Sequence, residues 1–208
     1  MLACASCASA LALQPGTILV ADSAWSDGNG AIVAIDPGTG GQQILSSGQE
    51  FVDPVDVLLS PRGQLYVADR EADAAPGGAV IRVDPTTGAQ TVVVAGPLLG
   101  IPTAIAREAS GNLLVTDEQL QRVVRVDPAL LVNSPVSSHL LIENPSGITI
   151  DEQQRVLLSN RDSDTSPEGS VLEIDPLMGE QSLIAENPDP VDPGLLRDPT
   201  DVFSNRRG

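Results

Sequence analysis

Residues 54–85 read PVDVLLSPRGQLYVADREADAAPGGAVIRVDP. Short apolar runs at Val55 to Leu59, Gln64 to Ala68 and Ala79 to Val83 are separated by Pro61-Arg62-Gly63 and other turn residues. This is the pattern of strands joined by tight connections. A fourth run, Gln90 to Val94, follows Asp84-Pro85-Thr86-Thr87-Gly88. That pentapeptide suits a hairpin: Asp bonds the backbone ahead of it, Pro presets φ, and Gly accepts a left-handed turn. Asp36-Pro37-Gly38-Thr39-Gly40 turns for the same reasons.

The unit repeats. Asp-Pro after an apolar residue recurs at Asp36, Asp84, Asp127 and Asp175, spaced 48, 43 and 48 residues apart. Leu19-Val20-Ala21-Asp22 returns as Tyr66-Val67-Ala68-Asp69, Leu114-Val115-Thr116-Asp117 and Leu157-Leu158-Ser159-Asn160. A third marker opens with Pro54, Pro102, Pro145 and Pro199. Four short antiparallel strands per unit of about 48 residues predict an all-β chain, a β-propeller of four blades. The marker aspartates of the Asp-Pro turns are expected to be structural.

The two ends of the chain share one repeat position. Asp56 to Gly63 aligns without gaps to Asp201 to Gly208, and Gly16 begins where the second strand of a unit begins. The C-terminal strand is therefore expected to complete the first blade and close the ring, which removes sheet edges. The alternative is a fragment of a six-bladed propeller.

The formal charge of −17 repels phosphate backbones and anionic membranes, and no apolar run reaches the roughly 20 residues of a membrane span. Nucleic acid is thus excluded as a partner, and a protein, glycan, small ligand or cation remains. Residues 1–12 are small and apolar and end in Ala10-Leu11-Ala12, the A-x-A pattern of a secretory leader. They predict a secreted or periplasmic protein whose single domain spans 13–208. Cleavage there would remove Cys4 and Cys7, and with them any disulfide framework or thiol nucleophile.

Ser60-Pro61-Arg62-Gly63-Gln64-Leu65-Tyr66-Val67-Ala68-Asp69 resembles the S-P-x-G-x-L-Y-V-A-D motif of the NHL, SMP-30 and gluconolactonase group of β-propellers. The resemblance extends over nearly the whole chain from Gly16 and implies the fold more than an activity. Gluconolactonase-like members hold a divalent metal through Asn or Asp placed just after the proline of an inner strand. The matching positions here are Val55, Thr103, Ser146 and Thr200, none of them a carboxylate or amide. The repeat also resembles virginiamycin-inactivating lyases, which rely on a histidine at the channel face. His139, the one histidine, is expected at the blade's outer surface, so no Ser-His-Asp triad assembles.

The loops joining second and third strands carry the binding potential, because loops on one face of a rigid scaffold are where ligands bind. Their candidates are Asp22, Asp69, Asp117 and Asn160 at the strand ends, Asp27, Asp73 and Asp164 within the loops, and Arg70 and Arg161 beside them. Asp56 and Asp201 are candidate ligands for Ca²⁺, which favours several hard oxygens. The function expected is a non-catalytic propeller that binds through this acidic face, with an SMP-30-like metal-dependent lactonase as the alternative.

Overall fold

The computed structural model describes residues 13–26, 29–72, 77–97, 99–161, 169–186, 196 and 198–204. Four antiparallel sheets follow one another along the chain, each built from strands that neighbour in sequence order. The first contains β1 (Ile18–Ser26), β2 (Asn29–Ile35) and β3 (Gln42–Ser47). The second contains β4 (Pro54–Leu59), β5 (Leu65–Asp69), β6 (Ala79–Val83) and β7 (Gln90–Ala95). The third contains β8 (Pro102–Arg107), β9 (Leu113–Asp117), β10 (Arg122–Asp127) and β11 (Val132–Ser138). The fourth contains β12 (Pro145–Ile150), β13 (Val156–Asn160), β14 (Ser170–Ile174) and β15 (Gln181–Glu186). No helix occurs among the described residues.

The repeating turn works as its chemistry requires. The Oδ1 atoms of Asp36, Asp84, Asp127 and Asp175 accept the amides of Gly38, Thr86, Ala129 and Leu177 at 2.7–2.8 Å. Four residues after three of these aspartates, Gly40, Gly88 and Gly179 adopt φ near +71°, a region open to glycine. Leu131 holds the same place in the third turn at φ +57°, with its amide 2.9 Å from the Asp127 carbonyl.

The strands β4, β8 and β12 lie side by side as the inner strands of successive blades, and the core fills the seams between blades. Three buried apolar clusters, one per seam, draw on Ile32, Phe51 and Ile81, on Val80, Leu99 and Val126, and on Leu114, Ile142 and Leu158. Phe51, Leu99 and Ile142 each stand three residues before an inner-strand proline and are wholly buried. A fully buried side chain of this size contributes about 1.5–3 kcal/mol, so aliphatic repetition replaces the aromatic core this chain lacks.

The C-terminal segment departs from expectation. Residues 199–204 form no strand, and β1 remains an edge of a three-stranded sheet. The segment is held to the fourth blade instead: Pro199 accepts the Ser146 hydroxyl at 2.5 Å, and Asp201 packs against Gly147. The ladder needed to close the ring through β1 is absent among the described residues. Residues 1–12, read as a leader, lie outside them.

Candidate binding face

Each inner strand begins with a bulge. Pro54 pairs with Asp69 and Asp56 with Ala68, which leaves Val55 as the extra residue; Thr103 and Ser146 are the extra residues of β8 and β12. A bulge re-aims the side chain it carries. Thr103 Oγ1 donates to the Pro145 carbonyl of the next inner strand at 2.8 Å and meets Thr116 Oγ1 at 2.8 Å. Ser146 Oγ reaches the Pro199 carbonyl and lies 2.9 Å from Ser159 Oγ. Both hydroxyls are buried: Thr103 joins β8 to the next inner strand, β12, and Ser146 ties β12 to the C-terminal segment.

Asp56 makes the equivalent join between the second and third blades. Its Oδ1 accepts the Val57 amide and its Oδ2 the Ile105 amide of β8, both at 2.8 Å. Burial raises its pKa; the two amides oppose the rise, and the charge of Asp201 adds to it. Asp201 is exposed, with Oδ1 accepting the Val202 amide at 2.7 Å. The structure thus brings the two carboxylates into electrostatic reach of each other. They supply at most four of the about six to eight oxygens that Ca²⁺ takes, and both oxygens of Asp56 already face N–H donors. No cluster of three or more metal-ligating side chains occurs among the described residues. The pair does not by itself fit a calcium centre.

The acids at the ends of the second strands turn inward. Asp69 is wholly buried, its carboxylate accepting the amides of Val52, Asp53 and Glu71 at 2.9–3.1 Å. Burial outweighs these donors and pushes its pKa up to about 6. Asp117, also wholly buried, takes the amides of Gly100, Ile101 and Leu120 and lies 3.7 Å from Arg122 Nε. Asn160 is buried and donates to the Leu141 carbonyl at 2.6 Å. These three residues tether the loop that leads into each inner strand; expected on an exposed face, they lie beneath it. An unpaired buried polar group is costly, and the loop amides supply the partners that make burial of the two aspartates tolerable, whereas the buried Asn160 Oδ1 has no partner among the described residues.

At the rim, Asp22 is half-buried and accepts the Ala24 amide. Arg70 sits 3.9 Å from Glu118 and Arg161 4.0 Å from Asp198, so each cation meets a rim acid. Asp27, Asp73 and Asp164 lie outside the described residues. His139 is exposed at the outer end of β11, its ring nitrogen 3.4 Å from Gln121 Oε1. The hydroxyl partners Thr116 and Ser159 escaped sequence reading, although both stand one residue before a marker Asp or Asn.

No family model and no curated protein matches the chain. Solved structures do, among them the following β-propellers. A nidogen/laminin complex superposes with a TM-score of 0.65 at 16% identity, over 83% of this chain and 62% of that one. A protein assigned as a gluconolactonase gives 0.60 at 20% identity, over 82% and 59%. Virginiamycin B lyase from Staphylococcus aureus gives 0.58 at 15% identity, over 83% and 55%. At these identities the likeness establishes the fold: the chain is a β-propeller. It spans roughly three fifths of the length of the structures it matches.

Proposed function

We propose that this chain is a secreted or periplasmic binding propeller that takes a protein, glycan or small ligand on its loop-bearing face and catalyses no reaction there. The observation that carries the reading is the fate of Thr103 and Ser146. Their hydroxyls are committed to the carbonyls of Pro145 and Pro199, so two of the positions that match the metal ligands of gluconolactonase-like propellers are occupied in holding the third blade to the fourth and the C-terminal segment to the fourth. The −17 charge favours a cationic partner surface by steering, and the nidogen/laminin complex is a precedent for protein binding on this fold. The A-x-A stretch at residues 10–12 supports export.

Metal analysis of the purified chain tests the reading. We expect no stoichiometric Ca²⁺, Zn²⁺ or Mn²⁺ after dialysis, and a melting temperature that neither Ca²⁺ nor chelator shifts, since a ligand stabilises only the state it binds. One tightly held metal ion per chain, lost from an Asp56→Asn/Asp201→Asn variant, would contradict it and restore the metal-dependent lactonase as the better reading.

A further inference from the structure

Five of the eight described arginines meet a carboxylate: Arg70, Arg122, Arg125, Arg155 and Arg161. The other three, Arg62, Arg82 and Arg107, form no ion pair among the described residues, in a chain where acids outnumber cations by 28 to 11. All three line one pocket of about 330 Å³. It lies between the second and third blades at the turn-bearing end, opposite the loops. Arg62 comes from the β4–β5 turn, Arg82 from β6 and Arg107 from the end of β8.

The repeat explains why these cations are unneutralised. Arg125 stands two residues before its marker Asp, as Arg82 does. Its guanidinium forks onto Glu108 at 2.7 and 2.9 Å and reaches the Pro176 carbonyl. The residue of the second blade that corresponds to Glu108 is Ser60, which lines the same pocket and offers a hydroxyl in place of a charge. Asp127, the one acid in the lining, has its Oδ1 held by the amides of Ala129 and Leu130. Neutral donors complete the wall: Ser110 and Asn112 from the β8–β9 turn, with the buried Tyr66 bonded through its hydroxyl to Gln64 at 3.0 Å.

We infer that this pocket is an anion site for a small phosphate or sulfate group, distinct from the loop-bearing face. Guanidinium forks match tetrahedral oxyanions bidentately, and like-charged side chains held together are relieved by a bound anion. The volume is at the lower end of the about 300–1,000 Å³ typical of small-molecule sites, enough for the anion and a short attached group. The shared chemistry is the oxyanion; its source is either the free inorganic ion or a small organic ester.

Titration calorimetry at fixed ionic strength tests this with inorganic phosphate, sulfate and O-phosphoserine, and with chloride as the reference. Saturable binding of phosphate or sulfate is expected, weakened at least about tenfold in an Arg62→Gln/Arg107→Gln variant and unchanged in Arg155→Gln, whose cation is already paired. Tighter binding of phosphoserine assigns the site to an organic ester, and equal binding assigns it to the free ion. The anion-free double variant should melt no lower than the parent, because it loses only mutual repulsion. Absence of binding by all three anions up to about 20 mM, equal weakening in Arg155→Gln, or a lower melting temperature of the anion-free double variant would each overturn the proposal.

Discussion

Between the first and second blades, Gln90 of β7 crosses the outer rim to the Ser46 hydroxyl and the Gly48 carbonyl, and its side-chain oxygen accepts the Glu50 amide. Ser46 in turn donates to the Gly88 carbonyl at 2.8 Å. The same stitch recurs between the third and fourth blades with Gln181, Ser137, Leu141 and Gly179. Between the second and third blades the corresponding residues are Asn133, Val94 and Leu131, and a largely apolar cleft of about 530 Å³ lies along Val92 to Ala95 and Leu131 to Asn133. The arginine pocket sits in this same seam. Blades alike in their strands are thus joined unequally, and the seam that lacks its stitch is where the unpaired arginines collect.

Copying the open seam's residue into a stitched one should have the largest effect. Gly88 is at φ +72°, and a Cβ there would collide with the Leu45 carbonyl. Gly88→Leu is expected to destabilise the chain by on the order of 3 kcal/mol in denaturant unfolding, combining left-handed strain with overpacking. A loss below about 1 kcal/mol would mean that the stitched seam tolerates what the open one contains.

Removing the stitch itself is the next step. Gln90→Ala and Gln181→Ala should each cost about 1–2 kcal/mol, since each strands a backbone amide as well as losing side-chain bonds. Asn133→Ala in the open seam should stay within about 0.5 kcal/mol. Equal losses at all three sites would erase the comparison.

A smaller, pH-dependent effect separates Asp69 from its repeat counterpart Asn160. The folded-state value of Asp69 is about 6 against an ordinary 3.8, so between these pH values the folded chain binds the proton more tightly than the unfolded one. Its contribution therefore rises as pH falls from about 6 towards 4, and is flat above that window. Melting curves at pH 7 and pH 5 should show this gain reduced in Asp69→Asn. An unaltered pH profile in the variant would remove Asp69 as its source.

The smallest effect is expected from Leu131→Gly. Relief of left-handed strain, about 1–2 kcal/mol, is partly offset by the extra freedom of glycine when unfolded, leaving a net gain of about 0.5–1 kcal/mol. A loss of stability would show that Leu131 packs to advantage in the cleft.

The strands were legible because alternating apolar residues and Asp-Pro turns are local signals: β6 spans Ala79–Val83 as read, and β4 and β5 differ from the reading by one residue. What escaped depends on partners far along the chain. Asp69 looks like a rim acid until its carboxylate is seen to fold back on Val52 and Asp53, and Thr103 acquires its role only from the Pro145 carbonyl of the next blade. The stitches did leave a trace. Ser46 and Ser137 each lie ten residues after a marker Asp, and Gln90 and Gln181 each lie six after one. Recognising them needed the knowledge that those offsets face each other across a seam. The unpaired arginines had no sequence signal, since an excess of acid suggests that every cation finds a partner.

The hydroxyls of Thr103 and Ser146 serve structure, and under the proposed function the loop-bearing face binds rather than hydrolyses. Lactone turnover measures this most directly, using a panel of small lactones with the chain first stripped by chelator and then supplied with Ca²⁺, Zn²⁺ or Mn²⁺. The proposed binding function predicts hydrolysis no faster than the metal-containing buffer alone in every condition. Metal-dependent turnover abolished by chelator, and lost in Asp56→Asn/Asp201→Asn while the fold persists, would contradict it.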